Sequence, residues 1–540
     1  MLYFIPAWYR HDDWKENEQV WYRPRTVTEF DDTVKQIQLF SRHPFAPFEI
    51  LLLGFSPNFR HFLHRQGVLH APYWSCFDAM QGIQAVKPEV FSFHDLAWPE
   101  NVEFIYSPFA VIAECDGKKY AQVEFAEDGN MFCVDLYQND QMVSRNLYDD
   151  RGFMSCQIVY QNGMPYREQY FNEDGVWKFA RYMDDGHVLI NPESSWYSLS
   201  GRKNIPYRKA RYDDISEVIG EVLTEYMRAS SDQDIFVIAM HPLHSQVLLQ
   251  ALKNHKIMLS FFRRRMEEHW MADADEKLLA SAGYIIADKE ITAEKIRRHI
   301  GEAQTPIRVI TPYDSRIEFG VSQHLRIQNI LLAADQLDTS VFGRVVPVLA
   351  AYVATKNPRA RICLFTRSSG YNARTRLLQA AGKALENAGM DPDLAREDSG
   401  VSESRLDDHD QVRAIFNAVQ CVDEMAVSRT LRAQRVVVDL RQVPDQFLQI
   451  SAMSMGIPQI AVIETDYAAD GKNSRIIRDI QELPDALDYY LHSIEHWNRA
   501  QIASYEMGSR FTTDKLVDAW KEVIRNIENQ STAVGQNGSF

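Results

Sequence analysis

Between Lys119 and Ile190 the chain sets a turn dipeptide every eleven or twelve residues: Asp128-Gly129, Asn139-Asp140, Arg151-Gly152, Asn162-Gly163, Asp174-Gly175 and Asp185-Gly186. Glycine, asparagine and aspartate tolerate the positive φ that tight hairpin turns demand. The stretches between them, Phe132–Tyr137, Gln157–Tyr160, Tyr166–Phe171 and Trp177–Tyr182, are aromatic and β-branched, which suits a pleated, half-buried surface. Six turns joining seven strands predict one antiparallel meander over residues 116–191. Alternating strand and helix patterns flank it on both sides, so the meander reads as an insertion into an α/β domain. An inserted sheet carries long edges, which suit partner contact.

Residues 1–115 hold the apolar runs Tyr3–Pro6, Ile50–Gly54, Val90–Phe93 and Val102–Tyr106, separated by polar helical stretches such as Phe30–Phe40. The same pattern resumes over 192–305, with helices Ile215–Arg228, Ser245–Lys253 and Ala293–Ile300 and strands Ile235–Ala239, Ile257–Phe261 and Tyr284–Ala287. A second domain is expected over 306–484. It begins with strand Arg308–Ile310, helices Leu325–Ala334 and Val345–Thr355 and strand Ile362–Phe365, then helices Ala373–Ala388 and Val412–Ala418. Strand Arg435–Leu440, helix Phe447–Met455 and strand Gln459–Ile463 complete it. Such alternation implies doubly wound sheets, so the expected fold class is α/β with two Rossmann-like domains and a cleft between them. Residues 485–528 read as helices, and the small polar residues of 529–540 as a disordered tail.

The net charge of −16 argues against nucleic acid, whose binding needs a basic footprint. Six scattered cysteines without a Cys-x-x-Cys pair fit a reduced, cytoplasmic protein. The start shows no secretion signal, and no apolar stretch approaches the roughly 18 to 20 residues needed to span a bilayer. No Gly-rich loop ending in Gly-Lys-Ser/Thr occurs, which excludes a nucleotide-driven motor. His241 with His244, and His61 with His64, lack further ligands at metal spacing and are read as structural, so no metal or cofactor is expected. Gly54–Asn58 reads as a strand-ending turn, because Asn58 stands where a nucleophile elbow needs glycine. Asp273 with Asp275, and Asp391 with Asp393, are read as solvated surface.

One segment carries a sharper signal. Strand Val436–Asp439 runs into a loop and then Ser451–Pro458, SAMSMGIP. This is similar to the donor-sugar signature of the retaining glycosyltransferases with the two-domain GT-B fold, acid-Ala-Met-small-x-Gly-x-Pro, with Ala452, Met453, Gly456 and Pro458 matching. The resemblance implies a helix N-terminus facing a nucleotide diphosphate, where free N–H groups favour anions. It also implies two carboxylates, at positions that here hold Val443 and Ser451. An Arg and a Lys are implied in the stretch Ile330–Arg344, where Asp335 falls near the arginine position, no lysine occurs, and Arg344 is the one cation able to substitute. Stabilising the charge of the departing nucleotide is the main electrostatic task of such a site. The missing acids and cations predict a degenerate site without transferase activity.

The opening YFIPAWY, the pair Trp21-Tyr22, the segment EFDDTVKQIQLF at Glu29–Phe40 and the meander together resemble the first accessory secretory protein family of the Gram-positive accessory Sec system. That resemblance implies a cytosolic, non-catalytic, glycosyltransferase-like scaffold. It further implies partners: the second and third accessory secretory proteins, the accessory Sec ATPase and a glycosylated serine-rich-repeat adhesin. Two other functions stay open at this point: a working transferase that draws its acids from elsewhere, and a lectin-like module. The basic run Arg202, Lys203, Arg208, Lys209 and Arg211 contains no acid. It is read first as solvated charge and second as an anchor on an acidic partner or the inner membrane leaflet.

Overall fold

All six expected hairpin turns form, because the residues at their tips accept the backbone they need. Gly129, Asn139, Asp140, Gly152, Asn162, Gly163, Gly175 and Gly186 have φ between 50° and 98°. The computed structural model describes all residues except 11–12, 17–18, 21, 24–29, 85–87, 90, 200–202, 264, 266–272, 302–304, 317, 319, 397–413 and 537–540.

The antiparallel sheet is larger than the turn spacing predicts. Among the described residues it has ten strands, ordered Arg211–Tyr212, Val188–Ile190, Trp177–Tyr182, Met164–Phe171, Met154–Gln161, Gln141–Tyr148, Met131–Gln138, Lys118–Phe125, Ala110–Cys115 and Val102–Tyr106. A further turn at Asp116-Gly117, both residues at positive φ, adds Ala110–Cys115, the link 107–109 adds Val102–Tyr106, and Arg211–Tyr212 joins at the other edge beside Val188–Ile190. Strand Val102–Tyr106, expected in the parallel sheet, is therefore the outer strand here, paired antiparallel with Ala110–Cys115. Phe93, expected in a strand, opens the short 3-10 turn Phe93–Asp95.

Two doubly wound sheets are built from the sequence that flanks the meander. The first, parallel throughout, has the order Ile307–Val309, Tyr284–Ala287, Lys256–Phe261, Ile235–Ala239, Leu2–Ile5, Phe48–Leu52 and Tyr73–Ser75. Leu2–Ile5, Phe48–Leu52 and Tyr73–Ser75 precede the meander and the other four strands follow it, so this sheet is split in sequence. The strand expected over Arg308–Ile310 to open the second domain forms as Ile307–Val309, pairs with Tyr284–Ala287 and ends this sheet. The second sheet, also parallel, has the order Phe416–Gln420, Ala360–Thr366, Gln328–Ala333, Gln434–Asp439, Gln459–Ala461 and Ser474–Ile476. Both orders place the first strand of each sheet third from one edge, at the point where the order reverses, as in Rossmann folds.

The central strand Gln328–Ala333 overturns the expected helix Leu325–Ala334, and the strand Phe416–Gln420 overturns the expected helix Val412–Ala418, of which residues 412–413 lie outside the described residues. Ile330, Leu331, Leu332 and Ala333 are all fully buried. A strand covered on both faces reads as a continuous apolar run, which periodicity cannot tell from a buried helix.

The chain divides into two compact units, residues 1–310 with 520–540, and residues 311–519. In the first, the meander shares a core with the parallel sheet: Tyr170 stacks on Phe179 at 4.5 Å and meets Phe55 edge-on at 5.1 Å. Arg151 ties its turn to Asp149 and to Asp78 of helix Cys76–Gln81. The far strands build a smaller core around Val111, Val123, Val134 and Tyr148. The last helix, Thr513–Gln536, sets Trp520 against Phe4 and Phe40 and continues to Gln536, into the stretch expected as a tail; residues 537–540 lie outside the described residues. Among the described residues no helix is long and apolar enough to cross a membrane.

Candidate functional site

In a doubly wound sheet, ligands bind beyond the carboxyl ends of the strands where the order reverses. In the second unit that point lies beyond Gln328–Ala333 and Gln434–Asp439, and charged side chains collect there. Asp335 follows the first strand, Arg367 follows Ala360–Thr366, and Asp439, Arg441 and Asp445 come from the end of Gln434–Asp439 and the loop after it.

These groups satisfy one another. Arg441 holds the Asp439 carboxylate in a bidentate pair, Nε to Oδ1 at 2.7 Å and Nη2 to Oδ2 at 2.6 Å, and donates from Nη1 to the Asp335 carbonyl at 3.1 Å. Arg367 pairs with Asp445, and its backbone N–H donates to the Asp335 carboxylate. Asp445 then caps helix Gln446–Ser454, accepting from the Leu448 N–H at 3.0 Å, while its own N–H donates to Asp439 at 3.1 Å. The side chains of Arg367, Asp439, Arg441 and Asp445 are all under 8% exposed. Burial alone would lower the Arg441 pKa, but Asp439, Asp445 and Asp335 outweigh it and raise it.

The helix after the central strand behaves alike. Asp338 caps Thr339–Thr355, accepting from the Ser340 hydroxyl and from the Ser340 and Val341 N–H groups, and these bonds hold its carboxyl below the ordinary aspartate range. A helix N-terminus is an anion site because its first N–H groups lack partners. Both helix starts here are filled by the chain's own carboxylates.

The sequence-predicted residues divide between this network and its surroundings. Asp335 joins it. Val443 is half-buried in the loop before the cap, and Ser451 sits half-buried inside helix Gln446–Ser454. Arg344 is exposed on helix Thr339–Thr355, with Nε 3.4 Å from the Ser340 carbonyl. Gly456 and Pro458 end the helix: the Ile457 N–H reaches the Ala452 carbonyl at 2.9 Å and the Gly456 N–H the Met453 carbonyl at 3.0 Å, the pair of hydrogen bonds that closes a glycine-terminated helix. Gly456 has φ +67°, and a Cβ there would stand 2.5 Å from Gln501 Cγ and 3.0 Å from the Tyr505 ring. Gly456→Ala should therefore lower the stability of the second unit by about 1–3 kcal/mol, from the strained φ and the overpacking, measured by denaturant titration. Arg367, Asp439, Arg441 and Asp445 escaped sequence reasoning; their one signal was position, each lying at or just after the end of a buried strand.

In the first unit, His244 is buried and hydrogen-bonded through Nδ1 to Tyr9 Oη at 2.9 Å, and burial holds its pKa well below the ordinary value. His241 caps helix Pro242–Ala251. Asp275, read as surface, is 2% exposed and accepts from Ser245, because its helix packs on the one that carries the serine. Of the basic run, Arg202 lies outside the described residues. Lys209 pairs with Glu217 at 2.6 Å and Arg211 with Asp185 at 3.4 Å, while Lys203 and Arg208 are exposed.

Comparison with known proteins bears on this geometry. The pneumococcal O-GlcNAc transferase GtfA, solved with UDP and GlcNAc, superposes with a TM-score of 0.70 at 11% identity, covering 97% of this chain and 98% of that one. That likeness is one of fold: two Rossmann-like domains of the GT-B class, with the antiparallel sheet in addition. The accessory secretory protein 1, 2 and 3 structure from Streptococcus pneumoniae contains a chain with TM-score 0.79 and 27% identity, covering 98% of this chain and all of that one. A curated accessory Sec system protein of Streptococcus gordonii is 29% identical over 540 residues, 97% of this chain and 99% of that protein. The family model for that accessory Sec system protein, accessory secretory protein 1, matches residues 1–527. With the match running along nearly its whole length, the chain belongs to the accessory secretory protein 1 family of the accessory Sec system.

Proposed function

We propose that this chain is a non-catalytic, glycosyltransferase-like scaffold of accessory Sec export, in which the old donor site has become a structural ion network. The observation that carries this reading is the pairing of Arg367 with Asp445 and of Arg441 with Asp439. A sugar nucleotide would have to displace Asp445 from both Arg367 and the Leu448 N–H, exposing buried charges to recover what the chain already supplies. Val443 and Ser451 offer no carboxylate for the sugar or ribose. On this reading Asp335, Arg344, Val443, Ser451, Gly456 and Pro458 mark a vestigial site, and no cofactor is used.

The scaffold works in the cytoplasm with the second and third accessory secretory proteins and the accessory Sec ATPase, on a glycosylated serine-rich-repeat adhesin. The relative solved from S. pneumoniae lies in a structure of accessory secretory proteins 1, 2 and 3, which supports the first two partners. The outer strand Val102–Tyr106 leaves Ile105 and Tyr106 46% and 65% exposed, which suits it as a contact edge. Lys203 and Arg208 are the cations best placed to meet an anionic surface at the membrane.

The test is incubation of the pure chain with nucleotide sugars and the adhesin, unmodified or partly glycosylated, beside co-purification from the native cell. No donor-dependent mass gain, and retention of the second and third accessory proteins through a salt wash, are expected. Sugar transfer to the adhesin would refute the scaffold reading.

A further inference from the structure

One arginine of the second unit is buried without an acid. Arg435 is the second residue of strand Gln434–Asp439, and the register to Gln328–Ala333 slips there: Asn329 faces Gln434 and Ile330 faces Val436, which leaves Arg435 as an extra residue. A bulge of this kind re-aims a side chain. The Arg435 carbonyl accepts from Trp497 Nε1 at 2.9 Å, and its guanidinium carbon lies 4.6 Å from the centre of the Trp497 ring. Arg435 is 8% exposed, and its Nε and Nη1 are buried without a hydrogen-bond partner. Burial lowers its pKa, with no carboxylate near enough to oppose the effect. Arginine nonetheless stays charged, and a buried cation is unfavourable unless an anion answers it. The tryptophan face attracts the cation, yet it offers no acceptor to N–H groups that lie in the guanidinium plane.

Trp497 belongs to the first turn of helix Ile494–Gly508, and helical side chains lean toward the helix start. The guanidinium therefore lies beside that start. Ser493 caps it by accepting from the His496 N–H at 3.3 Å, while the Ile494 and Glu495 N–H groups have no partner within the helix. Such N–H groups favour anions. Glu495, the acid of this turn, is paired with Arg499 at 3.6 Å. Gln328 Nε2 donates to the Leu491 carbonyl at 3.2 Å and holds the preceding link against the amino end of the sheet. An unanswered buried cation and an open helix start thus meet at one point, about 13 Å along the strand from the donor crevice at its other end.

We infer that this point binds a carboxylate, held by the Arg435 guanidinium and by the N–H groups that open helix Ile494–Gly508. One unmatched cation calls for one negative charge, which favours a carboxylate over a phosphate dianion, and a charge-assisted bond from arginine gives the contact its strength. The carboxylate comes either from a free small acid or from an acidic side chain of a polypeptide. The inference is independent of the reading of the donor crevice, since none of these residues belongs to it.

Saturation-transfer NMR on the full chain, at an ionic strength held constant with chloride, tests this with acetate, with the peptide acetyl-Gly-Asp-Gly-amide and with its Asn counterpart. Acetate and the Asp peptide should give saturable signals and displace one another, and the Asn peptide should give none. An Asp peptide that binds more tightly than acetate assigns the site to a polypeptide side chain, and the reverse order to a small acid. Arg435→Gln should weaken acetate by about tenfold or more, the loss expected when a charged hydrogen-bond donor is removed. Ile494→Pro takes away one N–H at a position where proline suits a helix start. It should weaken acetate by about threefold or more relative to Ile494→Ala, and it carries the test if Arg435→Gln does not fold. Absence of saturable acetate binding would overturn the inference. So would acetate binding unchanged in Arg435→Gln, or inorganic phosphate binding more tightly than acetate, which would report a general anion site.

Discussion

Arg441→Met should destabilise the second unit by about 3–5 kcal/mol, the usual loss when one partner of a buried ion pair is removed. The reason is what remains. Asp439 is 2% exposed, and methionine fills the space of the guanidinium stem without answering the carboxylate. The Asp335 carbonyl loses its donor at the same time. Guanidinium unfolding of the full chain, following the transition that reports the second unit, reads the effect. The double variant D439N/R441M should recover most of the loss, because taking away both charges removes the uncompensated one. A single variant within 1 kcal/mol of the parent would show that the network is a passenger, and with it the account of the filled crevice would fall.

Arg151→Met should cost the first unit a similar amount, about 3–5 kcal/mol, because two acids depend on that guanidinium. Arg151 reaches Asp78 at 2.7 Å and Asp149 at 2.7 Å, so it joins a meander turn to a helix of the parallel-sheet domain. Even beside Arg151, burial and the neighbouring carboxylates Asp78 and Asp150 push Asp149 up to about 6. An unfolded aspartate titrates near about 3.9, so the folded state binds the extra proton between these values. The stability this group contributes is complete below about pH 4 and is lost as pH rises through about 6. The penalty of Arg151→Met should therefore be smaller at pH 5, where Asp149 can take a proton, than at pH 8. A penalty that does not change with pH would show that Asp149 is not the group left exposed to the loss.

The two kinds of sheet differ in how much of them can be read from the chain. A hairpin turn is local chemistry: Asn162-Gly163 or Asp174-Gly175 specifies its own backbone whatever surrounds it, so the meander and its period were legible. A central parallel strand has no such signature. Ile330–Ala333 is apolar on both faces because both are buried, and the same four residues would suit a buried helix turn equally well. The motif SAMSMGIP was legible as letters, yet its glycine and proline are explained by ending a helix against Gln501 and Tyr505.

The charge network shows the same limit. Arg367 and Asp445 are 78 residues apart, and each follows a strand whose neighbours are set only when the sheet assembles. Sequence by itself determined the turns, the alternating α/β pattern, the absence of carboxylates at Val443 and Ser451, and the family resemblance, since each depends on residues adjacent in the chain. Only the tertiary structure decided which carboxylates would occupy the helix starts and which cations they would neutralise. Electrostatic pairing depends on distance and burial, and the winding of the sheet sets both.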